Sequence, residues 1–111
     1  MSKAPEPFIG AAFDSLQAVV GRAGHDKADF MGDLVLQDAT LMRLMDAGEQ
    51  LARVRESYPE YYTEHASPTW NKLIGLRNII AHGYLMIDFE TVWNIIQKHL
   101  PQLISELGKL S

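Results

Sequence analysis

From Phe8 to Leu107 the apolar residues return every three or four positions, and nowhere do they alternate convincingly in twos. A helix gathers positions three and four apart on one side, whereas a strand sends neighbours to opposite faces, so this period commits the chain to helices that each bury one stripe. Phe8, Ile9, Ala12, Phe13, Leu16, Val19 and Val20 make the first stripe, which ends near "GRAG". The segment "HDKADFMGD" is read as a turn or a single helical turn. Leu34, Leu41, Leu44, Met45, Gly48, Leu51 and Ala52 mark a longer second helix to about Ser57, with its arginines late, where they suit the macrodipole, and Pro59 as a stop. Residues 58–66 are expected to be the one long connection. Ser67 and Pro68 form an N-cap and first-turn pair for a third helix carrying Trp70, Leu73, Ile74, Ile80 and Ala81, which Gly83 is expected to end in the left-handed conformation. Asp88 caps a fourth helix bearing Phe89, Val92, Trp93, Ile96, Leu100, Leu103, Ile104 and Leu107, bent at Pro101. The expected fold is all-α: an up-down bundle of four main helices, with a short fifth allowed between the first two, in a single domain spanning residues 1–111. Short helices with wide apolar stripes leave a large surface for the core, which makes a homodimer plausible.

Composition narrows the function. The chain has no cysteine, which removes disulfides, thiolate nucleophiles and thiolate metal ligands and points to the cytosol. The opening "MSKAPEPFIGAAF" lacks the apolar core of a secretory signal, and no apolar run approaches the roughly 20 residues of a membrane span. The expectation is a soluble cytoplasmic protein with no membrane partner. Ten Lys and Arg against 14 Asp and Glu give a net charge of −4, which argues against blanket binding to a nucleic-acid backbone. Any nucleic-acid chemistry must rest on a few focused cations, or on two copies of a site brought together by dimerisation. No P-loop, GxGxxG, GxSxG or HExxH occurs, so neither a cofactor nor a metal is expected. His25, His65 and His99 are read as structural or solvent-facing, Trp70 and Trp93 as core, and Arg53, Arg55 and Glu56 as a solvated helix face.

What remains is "LRNIIAHGY", residues 76–84. Arg77 and His82 are five residues apart, about 140° around a regular helix, so they should point apart. Asn78 and His82 are four apart and share a side, which would let the amide fix the imidazole's orientation. A helix end at Gly83 would then re-aim His82 and Tyr84 towards whatever Arg77 faces. Arg77 falls beside an apolar stripe, and a guanidinium there needs a buried carboxylate, a second subunit or a bound phosphate. Spacing alone leaves open whether this is a structural ion pair or a site.

The residues "RNIIAHGY" resemble the R-x4-H-x-Y signature of the HEPN superfamily, and specifically its HepT-like branch. "GEQLARV", the tryptophan followed by "LIGLRNIIAHGY", and "ETVWNIIQKHLPQLISEL" resemble that branch in order and spacing over roughly residues 30–110. The resemblance implies an all-helical homodimer whose motifs face each other, metal-independent endoribonuclease activity, and a toxin paired with an MNT-type nucleotidyltransferase antitoxin that transfers AMP to the motif tyrosine. By position, Arg77 and His82 take the catalytic roles, Asn78 a supporting one and Tyr84 that of the modified residue. The connection 58–69 is longer than the family's usual link, a departure that touches the loop rather than the motif. Cutting RNA without a metal needs proton transfer and charge stabilisation at phosphorus, which imidazole and guanidinium side chains supply. The rival reading is a non-catalytic HEPN module that binds a nucleotidyltransferase partner.

Overall fold

The computed structural model describes residues 4–23 and 26–111; His25, expected in a turn, lies outside them. The described residues form helices α1 (Glu6–Ala23), α2 (Lys27–Met31), α3 (Leu34–Ser57), α4 (Pro59–His65) and α5 (Pro68–His82), a single 3-10 turn (Tyr84–Met86), then α6 (Phe89–Lys98) and α7 (Leu100–Leu110), with no strand among them. Helix α3 is the spine. Its 24 residues rise about 36 Å at 1.5 Å per residue, most of the molecule's 42 Å long axis. Helix α1 packs along one side of it and α5 along another, while α7 lies on α1. Leu16, Leu44, Leu51, Trp70, Leu73 and Leu103 are fully buried at the centre, and burial of each such leucine contributes about 1.5–3 kcal/mol.

Two expectations about the helices need correction. The connection 58–66 is largely helical, because Pro59 lacks the N–H that a first helical residue cannot use anyway, so it stops α3 and starts α4 in one step. Tyr58 N–H donates back to Val54, closing α3, and Tyr62 N–H donates to the Tyr58 carbonyl, opening α4. The buried Tyr62 ring then packs edge-on to Trp70 at 5.5 Å and its hydroxyl donates to Asn71 Oδ1 at 2.6 Å, tying α4 to α5. The expected fourth helix is two helices that meet at His99 (φ −114°, ψ −35°). Pro101 has no N–H for the carbonyl four residues back and its ring crowds that carbonyl, so the bend becomes a break. The break frees α6 to meet α2, where Phe30 and Trp93 lie 5.3 Å apart, while α7 packs along α1.

Caps hold the ends. Asp33 and Asp88 accept from the N–H groups of Leu36 and Glu90 at 3.0 Å, N-capping α3 and α6. Ser67 occupies the N-cap position of α5, but its hydroxyl donates to Glu106 Oε1 at 2.9 Å, anchoring α5 to α7 rather than capping it. Gly83 succeeds α5 with φ −158°, not the left-handed conformation expected of it; its N–H donates to Ile79 and the chain passes into the 3-10 turn. A Cβ here would meet Met86 Cγ at 3.2 Å, so close approach rather than handedness is what favours glycine.

Candidate active site

The site lies where the last turns of α5 cross α3. Close packing here depends on Gly48: a Cβ at that position would come within 2.7 Å of the Leu73 carbonyl oxygen and 2.8 Å of Arg77 Cβ. With no side chain in the way, α5 settles onto α3 and Arg77 is brought against the next residue, Glu49.

Arg77 is half-buried, and its guanidinium is bound on two sides. Nη1 donates to Glu49 Oε2 at 2.5 Å, and Nε donates to Asn78 Oδ1 at 3.1 Å. The other oxygen of Glu49 faces Arg53 Nε at 3.7 Å, so Arg53, expected only to be solvated, also touches this cluster. Asn78, expected to orient His82, also braces Arg77 through its Oδ1. A carboxylate is among the partners foreseen for a charged group beside an apolar stripe, and Glu49 supplies one that is partly buried.

A cleft of about 440 Å³ opens here, lined by Met42, Met45, Asp46, Glu49, Arg77, Asn78, Ala81 and His82. It brings Arg77 and His82 into one cavity although α5 stays helical through His82. At 100° per residue, Arg77, Ala81, Asn78 and His82 fall at about 0°, 40°, 100° and 140° around the axis, so they tile one continuous sector of the helix. The short Ala81 and Asn78 sit between the two longer side chains, and the divergence expected of Arg77 and His82 becomes the width of the cleft. Ala81, expected on the buried stripe, is exposed, and so is His82. Re-aiming by the helix end applies to Tyr84 alone.

Opposite, α3 contributes Asp46, whose carboxylate accepts from Ser15 Oγ at 2.6 Å and Gln50 Nε2 at 3.3 Å. Further towards the start of α3, the Tyr84 hydroxyl donates to Asp38 Oδ1. That hydrogen bond holds the Tyr84 phenol above its ordinary pKa, with partial desolvation and the negative charge of Asp38 adding to the effect. Asp38, Met42, Met45 and Glu49 succeed one another at spacings of four, three and four, and thus form one stripe of α3 facing the motif. The spacing can be read from the sequence, but which stripe of α3 faces the motif is set by the packing at Gly48. Met42 on this stripe, Leu34 and Val35 at the start of α3, and Leu85 and Met86 on the 3-10 turn are exposed, Leu85 at 94%.

Other expectations resolve locally. Trp70 is fully buried and Trp93 nearly so, as core positions. His65 stacks on Tyr61, with ring centroids 4.3 Å apart, and His99 stands at the α6–α7 break. Among the described residues no three His, Asp or Glu side chains come together to hold a metal ion, and no helix is long and apolar enough to cross a membrane.

The model of the family described as "Ribonuclease HepT-like" matches residues 11–110, and the chain belongs to that family. It is similar to "Putative RNase TTE0752" of Caldanaerobacter subterraneus subsp. tengcongensis, 24% identical over 109 residues that cover 97% of this chain and 95% of that one. It is also similar to "Putative RNase MJ1380" of Methanocaldococcus jannaschii, 26% identical over 74% of this chain and 72% of the relative. A third relative from the same archaeon, "Gamma-glutamylcyclotransferase and putative RNase MJ0434", is 27% identical over 74% of this chain and 36% of its own length. No solved structure matches the chain.

Proposed function

We propose that the protein is a metal-independent endoribonuclease acting as the toxin of a toxin–antitoxin pair, with Arg77 and His82 as its catalytic residues. The observation that carries this reading is the shared cleft: an exposed imidazole and a fixed guanidinium open on the same cavity. In RNA cleavage the 2′-hydroxyl loses a proton and attacks phosphorus, the 5′-oxygen leaves with a proton, and extra negative charge gathers on the phosphoryl oxygens. Imidazole serves the proton transfers and guanidinium the charge.

One cleft offers one histidine, while the reaction needs a base and an acid. A homodimer pairing two clefts supplies both, and the exposed apolar side chains of Met42 in the cleft and of Leu85 and Met86 on the turn just past it give a second copy a surface to cover.

Control would fall to a nucleotidyltransferase antitoxin of the MNT type that attaches AMP to Tyr84. The Tyr84 side chain is exposed on the turn just past the cleft, where an added nucleotide with its phosphate charge opposes an RNA strand sterically and electrostatically. The same exposed patch favours the second reading, a non-catalytic module that docks a nucleotidyltransferase.

Incubating the purified protein with RNA in EDTA tests the proposal. Cleavage that disappears in both Arg77→Ala and His82→Ala, with folding and dimerisation kept, supports the nuclease. Equal cleavage in all three proteins removes it. Binding to a co-encoded nucleotidyltransferase without any RNA cleavage selects the docking module. If such a partner silences the Tyr84→Phe protein as well as wild type, the tyrosine is not the point of control.

A further inference from the structure

Arg77 enters the cleft already engaged. Its Nη1 is bound to Glu49 and its Nε to Asn78, so among its donors only Nη2 keeps both hydrogens uncommitted. The carboxylate of Glu49 lines the same cavity that a phosphate would enter. Such an arrangement has two opposed effects. The charge-assisted bond fixes a flexible side chain in one orientation, which favours a reaction requiring a donor at a set place. The same negative charge, a few ångströms from the phosphate site, opposes binding of the anionic strand.

We propose that Glu49 is the positioning residue for Arg77: it aims the guanidinium at the scissile phosphate and weakens ground-state RNA binding in doing so. The inference rests on the nuclease reading above and deepens it. Two independent features of the fold converge on this contact. Gly48 removes the Cβ that would push Arg77 away, and Arg53 stands behind the second oxygen of Glu49, steadying the carboxylate from the solvent side. Because Glu49 acts on the phosphate only through Arg77 and through its own charge, its removal divides the kinetic constants in a way that general loss of structure does not.

The test pairs cleavage kinetics with binding of a fluorescein-labelled single-stranded RNA, read by anisotropy in the full-length protein carrying His82→Ala. Glu49→Ala is expected to lower kcat by about 10-fold or more while KM stays level or falls, and Glu49→Gln, which keeps an acceptor, to recover part of kcat. In the binding arm, Glu49→Ala tightens RNA binding severalfold. In an Arg77→Ala background Glu49→Ala should produce no further loss of kcat, the mark of one unit acting together. Glu90→Ala, which removes an acid of α6 that pairs with Lys27 and does not line the cleft, is the control, with kcat near wild type.

A kcat unchanged in Glu49→Ala, or lost equally with and without Arg77, overturns the proposal. So does RNA binding that weakens in Glu49→Ala. Should Glu49→Ala fail to fold by circular dichroism, Glu49→Gln carries the same comparisons with the shape preserved. If the wild-type protein cuts no RNA, the nuclease reading falls by itself, and the anisotropy arm still decides whether Glu49 opposes anion binding at Arg77.

Discussion

Helix α3 grips the motif at two places, and the grips differ. At one, Glu49 holds the guanidinium of Arg77, whose side chain is 24% exposed, with Asn78 bracing it and Gly48 closing the helices together beneath it. At the other, Asp38 holds the hydroxyl of Tyr84, which is exposed on a three-residue turn flanked by bare Leu85 and Met86. Both are carboxylates on one helical stripe. The inner contact has packed backbone on its far side and forms part of a rigid joint, whereas the outer one competes with water and is free to open. A fixed inner group suits chemistry, and a loosely tethered outer hydroxyl suits a residue that another enzyme must reach.

Catalysis offers the largest break between the two ends. Arg77→Ala and His82→Ala should each lower single-turnover cleavage in EDTA by about 10² to 10⁴-fold, while Asp38→Ala leaves it near wild type. Equal losses at both ends would erase the distinction. Next comes stability, through two glycines on the packed helices. Gly48→Ala forces a Cβ against a backbone carbonyl and should cost about 1–3 kcal/mol, seen as a drop of several degrees in Tm. Gly75→Ala, in the same helix as Arg77 but facing open space, should instead stabilise by about 0.5–1 kcal/mol. Matching signs for the pair would mean that the α3–α5 approach at Arg77 is not tight.

Smaller, and confined to the outer end, is a titration. Ionising Tyr84 loses its donor bond to Asp38 and sets a phenolate beside a carboxylate, so its pKa in the fold lies above the unfolded value of about 10. The stabilisation is therefore fully present below pH 10 and is lost as pH rises through the higher folded value. Tyrosinate absorbance should show one tyrosine whose midpoint falls in Asp38→Asn, and no fall would deny the contact in solution. Smallest is Arg53→Ala: this 3.7 Å contact between exposed side chains should shift denaturant unfolding by no more than about 0.5 kcal/mol.

How much of the molecule is legible in its sequence depends on whether the information is local. The helical period, the Asp88 cap and the core tryptophans are properties of short windows, and the sequence carries them openly. Pro59 and Pro101 are plain as punctuation, but the effect of each is decided by residues elsewhere in the fold. Tyr62 needs Trp70 as a burial partner before 58–66 can be helix, and Pro101 separates two helices rather than bending one because α6 and α7 have different neighbours to pack against. Arg77 and His82 are legible as a motif, and their common cleft arises from Ala81 and Asn78 lying between them on the helix. Glu49 and Asp38 are not, since assigning them requires the register of α3 against α5, which Gly48 sets and no local pattern announces.

The stripe on α3 also limits how the chain can change in length. Asp38 and Glu49 are separated by 11 residues, just over three whole turns. Inserting or deleting one residue between them would swing one acid about 100° away from its partner on the motif. Loops such as the one before Pro68 can grow or shrink without consequence for the pair. Within the 11-residue interval, steps of three or four residues turn the acids by a smaller angle, about 40–60°, and move the tyrosine's tether by about 5–6 Å relative to the arginine's.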